Sequence, residues 1–175
     1  MLYLSKEPIF SFMWTLNHIG VIITMSKILF VGFKGKMNSS YQLVQALNGQ
    51  KLFLTNSFQG LKNDIDSIQL DCHTVFMFGL DKNLLGTVRL DACAKHDSQI
   101  IRSFIDLFPI KQKLNEYDVK CDISEYPTRF LCNAAYYQML CKTGGKTVFF
   151  HLPPLRFLPE GMFINLVNCF NNETF

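Results

Sequence analysis

The chain has 175 residues, a length that suits one domain with a sizeable hydrophobic core. Hydrophobic residues make up 49% of it and charged residues 18%, a composition that excludes an intrinsically disordered protein. The formal net charge of +3 is small and the basic residues are scattered, so nothing in the sequence predicts a nucleic-acid partner.

The first 24 residues are expected to lie outside the folded domain. Their apolar run is broken by Asn17 and His18 and is too short to span a membrane. They also lack the basic start and the small-residue cleavage site of a signal peptide. We therefore interpret residues 1–24 as an extension, either a disordered tail or an upstream start-site artefact. Residues 25–175 are predicted to form a single domain, with no membrane partner.

Strand and helix patterns alternate along the rest of the chain. Continuous apolar runs indicate buried strands, and apolar residues at helical spacing after capping residues indicate helices. The predicted strands are 28–32, 51–55, 74–79, 90–96, 119–124 and 147–152. The predicted helices are 41–47, 59–68, 109–117, 130–141 and 162–170, and the pattern over 100–108 is ambiguous. This alternation predicts a three-layer α/β domain, with an open, twisted, mostly parallel sheet and helices on both faces.

The six cysteines are interpreted as reduced thiols of a cytoplasmic protein. They form no Cys-x-x-Cys pair, and none lies at zinc-ligand spacing from a histidine, so we predict no metal site. Their even number also allows a disulfide framework, but a domain of this size does not need one.

Two side chains at the predicted carboxyl edge of the sheet suit nucleophilic chemistry. Cys132 lies near the start of a predicted helix, whose N-terminus favours a thiolate and offers free backbone N–H groups to an oxyanion. His151 ends the last predicted strand, so it can reach the same edge. Taken alone, each residue is more often structural, since most cysteines in apolar segments are inert.

Several segments together resemble one known family. Phe130-Leu131-Cys132-Asn133, followed by Tyr136-Tyr137, is similar to the nucleophile motif of the pyroglutamyl peptidase I family of cysteine peptidases. Phe150-His151-Leu152-Pro153 is similar to that family's histidine motif. The resemblance spans about residues 27–155 and includes Phe108-Pro109-Ile110-Lys111, Val31-Gly32-Phe33, Asn38 and Ser40.

The resemblance implies a cytoplasmic exopeptidase that removes N-terminal pyroglutamate from peptides through a thioester, without a cofactor. Cys132 would be the nucleophile, His151 its base, and Asp91 the orienting acid in place of the family's Glu. The oxyanion would be held by the backbone N–H of Cys132 and by Arg102. The implied substrate-binding residues are Phe33, Asn38, Leu80 and Phe130. The resemblance also allows a homo-oligomer.

The sequence departs from the family in two loops. The first is contracted to Gly32-Phe33-Lys34-Gly35-Lys36 and lacks the family's second aromatic, and Leu80-Asp81-Lys82-Asn83 replaces a Gly-rich loop. Two alternatives therefore stay open. One is a Cys–His hydrolase of the same fold with a different substrate. The other is a non-catalytic relative that acts as a binding module.

Overall fold

The computed structural model of the chain describes residues 28–70, 74–172 and 175. The strands are β1 (Ile28–Phe33), β2 (Gln50–Leu54), β3 (Thr74–Leu80), β4 (Val88–Asp91), β5 (Cys93–His96), β6 (Gln99–Arg102), β7 (Cys121–Ser124) and β8 (Thr147–Leu152). The helices are α1 (Ser39–Ala46), α2 (Phe58–Asp66), α3 (Leu107–Glu116), α4 (Phe130–Thr143) and α5 (Met162–Asn172), with a short 3-10 turn at Leu155–Phe157. The predicted boundary at residue 25 lies outside the described residues and stays a prediction.

A six-stranded sheet in the order β2-β1-β3-β8-β4-β7 forms the centre of the fold. The four strands from β2 to β8 are parallel, as the apolar runs predicted. Strand β4, however, pairs antiparallel with β8 and parallel with β7, so this edge of the sheet runs in the opposite direction. The prediction of a mostly parallel sheet is confirmed. Because β4 is antiparallel to β8, the start of β4 lies beside the carboxyl end of β8.

Helices cover both faces of this sheet, which confirms the three-layer architecture. Buried residues of α1, α3 and α5 join one hydrophobic cluster, which includes Leu43, Leu114 and Phe170. Those of α2 and α4 join a second cluster on the opposite face, which includes Ile65 and Met139. The sheet therefore carries a core on each side, as expected for strands that are apolar along their whole length. None of the helices in the described ranges is long and apolar enough to cross a membrane.

The strand predicted over residues 90–96 is two strands in two different sheets. Strand β4 belongs to the main sheet, and β5 pairs antiparallel with β6 in a separate hairpin. The break falls at Ala92, whose N–H donates to Ser124 O at 2.9 Å while its carbonyl accepts from Ser103 N at 3.1 Å. Ala92 therefore bonds to the end of β7 through its N–H and to the residue after β6 through its carbonyl, so the chain passes at this residue from the main sheet to the hairpin. The ambiguous stretch supplies β6 and the start of α3.

Candidate active site

His151 faces an acidic side chain on the neighbouring strand. In the register of β8 and β4, His151 lies opposite Arg89, and Phe149 lies opposite Asp91. Residues two apart on a strand share a face, so His151, Arg89 and Asp91 all point to the same side of the sheet. His151 Nδ1 is 2.9 Å from Asp91 Oδ2.

This histidine–carboxylate pair is buried, since the Asp91 side chain is only 1% exposed. The 2.9 Å contact lacks the alignment of a hydrogen bond, and neither atom has another hydrogen-bond partner among the described residues. Burying a carboxylate is costly unless it is paired. Catalytic contacts are often poorly aligned without substrate and tighten when it binds. The Tyr136 hydroxyl donates to the backbone carbonyl of Asp91 at 2.9 Å, which holds the acid's main chain against α4.

The sulfur of Cys132 packs against the strand on the other side of His151. Gly79 pairs with His151 in the β3–β8 register. A Cβ atom added to Gly79 would lie 2.9 Å from Cys132 Sγ. Neighbouring strands are about 4.8 Å apart, so the sulfur lies over the position next to His151. Glycine is required here because a side chain would collide with the thiol.

The charge environment of Cys132 differs from the one expected from the sequence. Burial raises the pKa of the Cys132 thiol to about 12, and the carboxylates of Asp91 and Asp81 add to that rise, while Arg89 opposes it. The sequence predicted a thiolate favoured by the helix N-terminus. Burial thus opposes the thiolate that the sequence predicted, and a thiol with a raised pKa needs a base before it can attack.

Cys132 lies in the first turn of α4, close to a residue with an unusual backbone conformation. Phe130 has a positive φ of 63°, which is uncommon for a bulky residue. Cys132 is the third residue of the helix, so its N–H is among the first four that lack an intrahelical partner. The side chain of Asn133 accepts from Lys95 N at 2.9 Å and donates to Lys95 O at 2.6 Å. This double contact fastens the first turn of α4 to β5.

Arg102 does not join this cluster. It lies on β6, pairs with Glu125, and its charge acts on Cys93. The arginine whose charge acts on Cys132 is Arg89, which the sequence analysis missed. The predicted strand began at Leu90, one residue after Arg89, whereas the observed strand β4 begins at Val88 and places Arg89 and Asp91 on the same face.

The four residues implied to bind substrate are not brought together as one wall. Phe33 is only 3% exposed and packs in the core beneath α2 and α4. Asn38 caps α1, and its side chain accepts from both the N–H and the hydroxyl of Ser40. Phe130 is 84% exposed, and Leu80 is half-buried at the end of β3. Of the four, Leu80 and Phe130 have surface free for a ligand close to Gly79 and Cys132.

Two further features bear on what the site can hold. Within residues 28–70 and 74–172, no group of three or more His, Cys, Asp or Glu side chains could hold a metal ion. A groove of about 720 Å³ lies between α2, α4 and the β5–β6 hairpin, and its lining includes Phe58, His96 and Tyr137 but neither Cys132 nor His151. This groove is separate from the polar cluster.

The fold matches solved structures of one family. The pyrrolidone carboxyl peptidase of Thermus thermophilus superposes with a TM-score of 0.69 at 18% identity, over 80% of this chain and 97% of that one. The pyroglutamyl peptidase I of Bacillus amyloliquefaciens superposes with a TM-score of 0.67 at 12% identity, over 82% and 92%. The enzyme of Fervidobacterium islandicum gives 0.63 at 18% identity, over 81% and 93%. No family model and no curated protein matches the sequence.

These likenesses establish the class of fold. The chain has the α/β fold of the pyrrolidone carboxyl peptidases, at 12–18% sequence identity. The resemblance first seen in the motifs around Cys132 and His151 is thus confirmed at the level of the fold.

Proposed function

We propose that the protein is a cysteine exopeptidase that releases N-terminal pyroglutamate from peptides, with Cys132 as nucleophile, His151 as base and Asp91 as orienting acid. The observation that carries the proposal is the arrangement around His151. The Asp91 carboxylate is 2.9 Å from its Nδ1, and the thiol of Cys132 lies over Gly79, the strand neighbour of His151. The fold shared with the pyrrolidone carboxyl peptidases supports the same reaction class.

Acylation begins from the neutral thiol. His151 Nε2 takes the Cys132 proton as the sulfur attacks the carbonyl carbon between pyroglutamate and the next residue. The imidazolium formed is stabilised by the buried Asp91 carboxylate. The backbone N–H of Cys132 donates to the oxyanion. The C–N bond then breaks, and His151 returns its proton to the departing amine.

Deacylation repeats the same roles with water. His151 takes a proton from a water molecule, whose oxygen attacks the thioester carbon. The C–S bond breaks, pyroglutamate leaves, and the proton restores the Cys132 thiol. The reaction needs a peptide substrate and no cofactor, and a cytoplasmic location would keep the thiol reduced.

A hydrolase of the same fold with a different small acyl substrate is a second candidate. Two of the residues implied to bind the pyrrolidone ring support this alternative, because neither is free to contact a ligand. Phe33 is buried in the core, and the Asn38 side chain caps α1. The contracted first loop also carries no second aromatic residue. Such a protein would keep the Cys132–His151 chemistry and change the surface that selects the acyl group.

The proposal is tested with purified protein, a fluorogenic pyroglutamyl amide and a reducing buffer. We expect slow but measurable hydrolysis, reduced more than about 1,000-fold by Cys132→Ser or His151→Ala. Cys141→Ser is the matched control, since Cys141 is an exposed cysteine on the same helix. Inactivity on the pyroglutamyl amide, with acyl-enzyme formation at Cys132 from other small amides, would favour the altered hydrolase. Absence of any Cys132-dependent turnover would favour a binding module.

A further inference from the structure

Arg89 is held between two carboxylates at the edge of the candidate site. Its Nε donates to Asp91 Oδ1 at 3.0 Å, and its Nη1 is 2.9 Å from Asp81 Oδ2. The other oxygen of Asp91 faces His151 Nδ1. Each oxygen of the buried carboxylate therefore has a partner of its own, and the guanidinium spans the space between β4 and the loop after β3.

Asp81 is held in place by hydrogen bonds to the backbone. The Asp81 N–H donates to Leu152 O at 2.9 Å, and Asp81 Oδ1 accepts from Asn83 N at 2.9 Å. Burial alone would raise the pKa of Asp81, but the Asn83 hydrogen bond and the charge of Arg89 lower it below its usual value. The Asp81 carboxylate is therefore held in one position, where it forms an ion pair with Arg89.

We propose that Arg89, clamped between Asp81 and Asp91, is a positioning residue that turns the Asp91 carboxylate toward His151, and that Asp81 acts through it. This inference rests on the proposed function of the Cys132–His151 pair. A carboxylate rotates easily about its terminal torsion, whose preference is broad and roughly two-fold. The planar fork of arginine can bind two partners in a fixed geometry, which the point charge of lysine cannot do.

The same clamp offsets the negative charge near the thiol. Asp91 and Asp81 both raise the pKa of Cys132, and Arg89 is the cation that lowers it. Without Arg89, two carboxylates would face the sulfur with no counter-charge, and Asp91 would be free to turn away from His151. Both consequences slow the removal of the thiol proton, and neither alters the surface that binds the acyl group.

The test compares Arg89→Gln, Arg89→Lys, Asp81→Asn and the double variant Asp81→Asn/Arg89→Gln. We expect Arg89→Gln to lower kcat about 10- to 100-fold with KM unchanged, as for other residues that orient a reacting group. Arg89→Lys should restore only part of kcat, and Asp81→Asn should cost less than Arg89→Gln. Because Asp81 acts through Arg89, the double variant should equal Arg89→Gln alone. Arg156→Gln, at an exposed arginine over Phe157, is the control.

A second readout needs no substrate. Iodoacetamide labelling of Cys132 at pH 8 should slow several-fold in Arg89→Gln, with Cys141 in the same molecule as the internal reference. Unchanged labelling and kcat in Arg89→Gln, additive losses in the double variant, or a rise in KM alone would each overturn the inference. Should Arg89→Gln fail to fold, Asp81→Asn and Arg89→Lys carry the same comparison. The protein could be inactive on pyroglutamyl amides while Cys132 labelling still slows in Arg89→Gln. That result would refute the proposed substrate and support the positioning role.

Discussion

The cluster around His151 and the surface implied to hold the pyrrolidone ring differ in how their residues are connected. Asp91 contacts both His151 and Arg89, and Arg89 continues to Asp81, so each charge in the cluster has a partner. The ring-binding candidates share no such network. Phe33 is buried in the core, whereas Phe130 is largely exposed at the start of α4.

This difference indicates which part of the molecule can change easily. Removing one member of a buried ionic network leaves another charge without its partner, which costs several kcal/mol. Replacing an exposed aromatic side chain costs far less and mainly alters what binds. A family fold can therefore keep its reacting groups while its substrate surface diverges, and the following experiments test that contrast from the largest expected effect to the smallest.

The strongest test within the cluster is Asp91→Asn. The amide has no negative charge to stabilise the His151 imidazolium, and it can impose the wrong tautomer, so we expect kcat to fall about 10²- to 10⁴-fold. Asp97→Asn is the control, since Asp97 is exposed and its positive φ of 50° is one that Asn tolerates. Near-normal kcat in Asp91→Asn, measured by initial rates, would mean that another group orients His151.

Gly79→Ala tests the packing of the thiol against the sheet. The new Cβ would lie 2.7 Å from Phe149 Cζ and 2.9 Å from Cys132 Sγ, so both side chains must move. We expect a loss of about 1–3 kcal/mol in the free energy of unfolding and a 10- to 100-fold loss of kcat, because a small displacement of the nucleophile is costly.

Denaturant unfolding in a Cys132→Ala background isolates the contact with the sulfur. Without the sulfur, the same Gly79→Ala change should cost less stability. Equal costs in the two backgrounds would show that the thiol does not lie over Gly79.

The pH dependence of Cys132 labelling tests its charge environment. Its raised pKa of about 12 means that the thiolate is the minor form throughout pH 7–9, so the rate with iodoacetamide should rise about tenfold per pH unit without a plateau. At neutral pH and without substrate, Cys132 should react more slowly than the exposed Cys141. A plateau above pH 7, followed by mass spectrometry of labelled peptides, would indicate a preformed thiolate–imidazolium pair.

Phe130→Ala is expected to have the smallest effect. An aromatic contact with the substrate ring is worth about 0.5–1.5 kcal/mol beyond area burial, which corresponds to a rise in KM of about two- to tenfold with kcat unchanged. Phe58→Ala, at an exposed phenylalanine on α2, is the control. An unaltered KM would remove Phe130 from the substrate surface and point to Tyr126, which is also exposed nearby, as the aromatic wall.

Local patterns in the sequence were sufficient for most elements of the fold. The strand predicted at 147–152 and the helix predicted at 130–141 both exist, and α4 ends at Gly144 in the left-handed conformation that glycine favours. The direction of each strand could not be predicted from these local patterns. An apolar run looks the same in a parallel and an antiparallel strand, so the reversal of β4 and its break at Ala92 emerge only from pairing with β8 and Ser124.

By itself the sequence determined the α/β class, most of the elements in their order, and the two residues suited to nucleophilic chemistry, Cys132 and His151. Those properties depend on periodicity and on motifs a few residues long. The family resemblance also gave Asp91 as the orienting acid. Tertiary structure decided the rest: the 2.9 Å distance from Asp91 to His151, the clamp at Arg89, the burial of Phe33 and the raised pKa of the thiol. Each of these depends on distances between residues far apart in the chain and on exclusion of water, which no local pattern records.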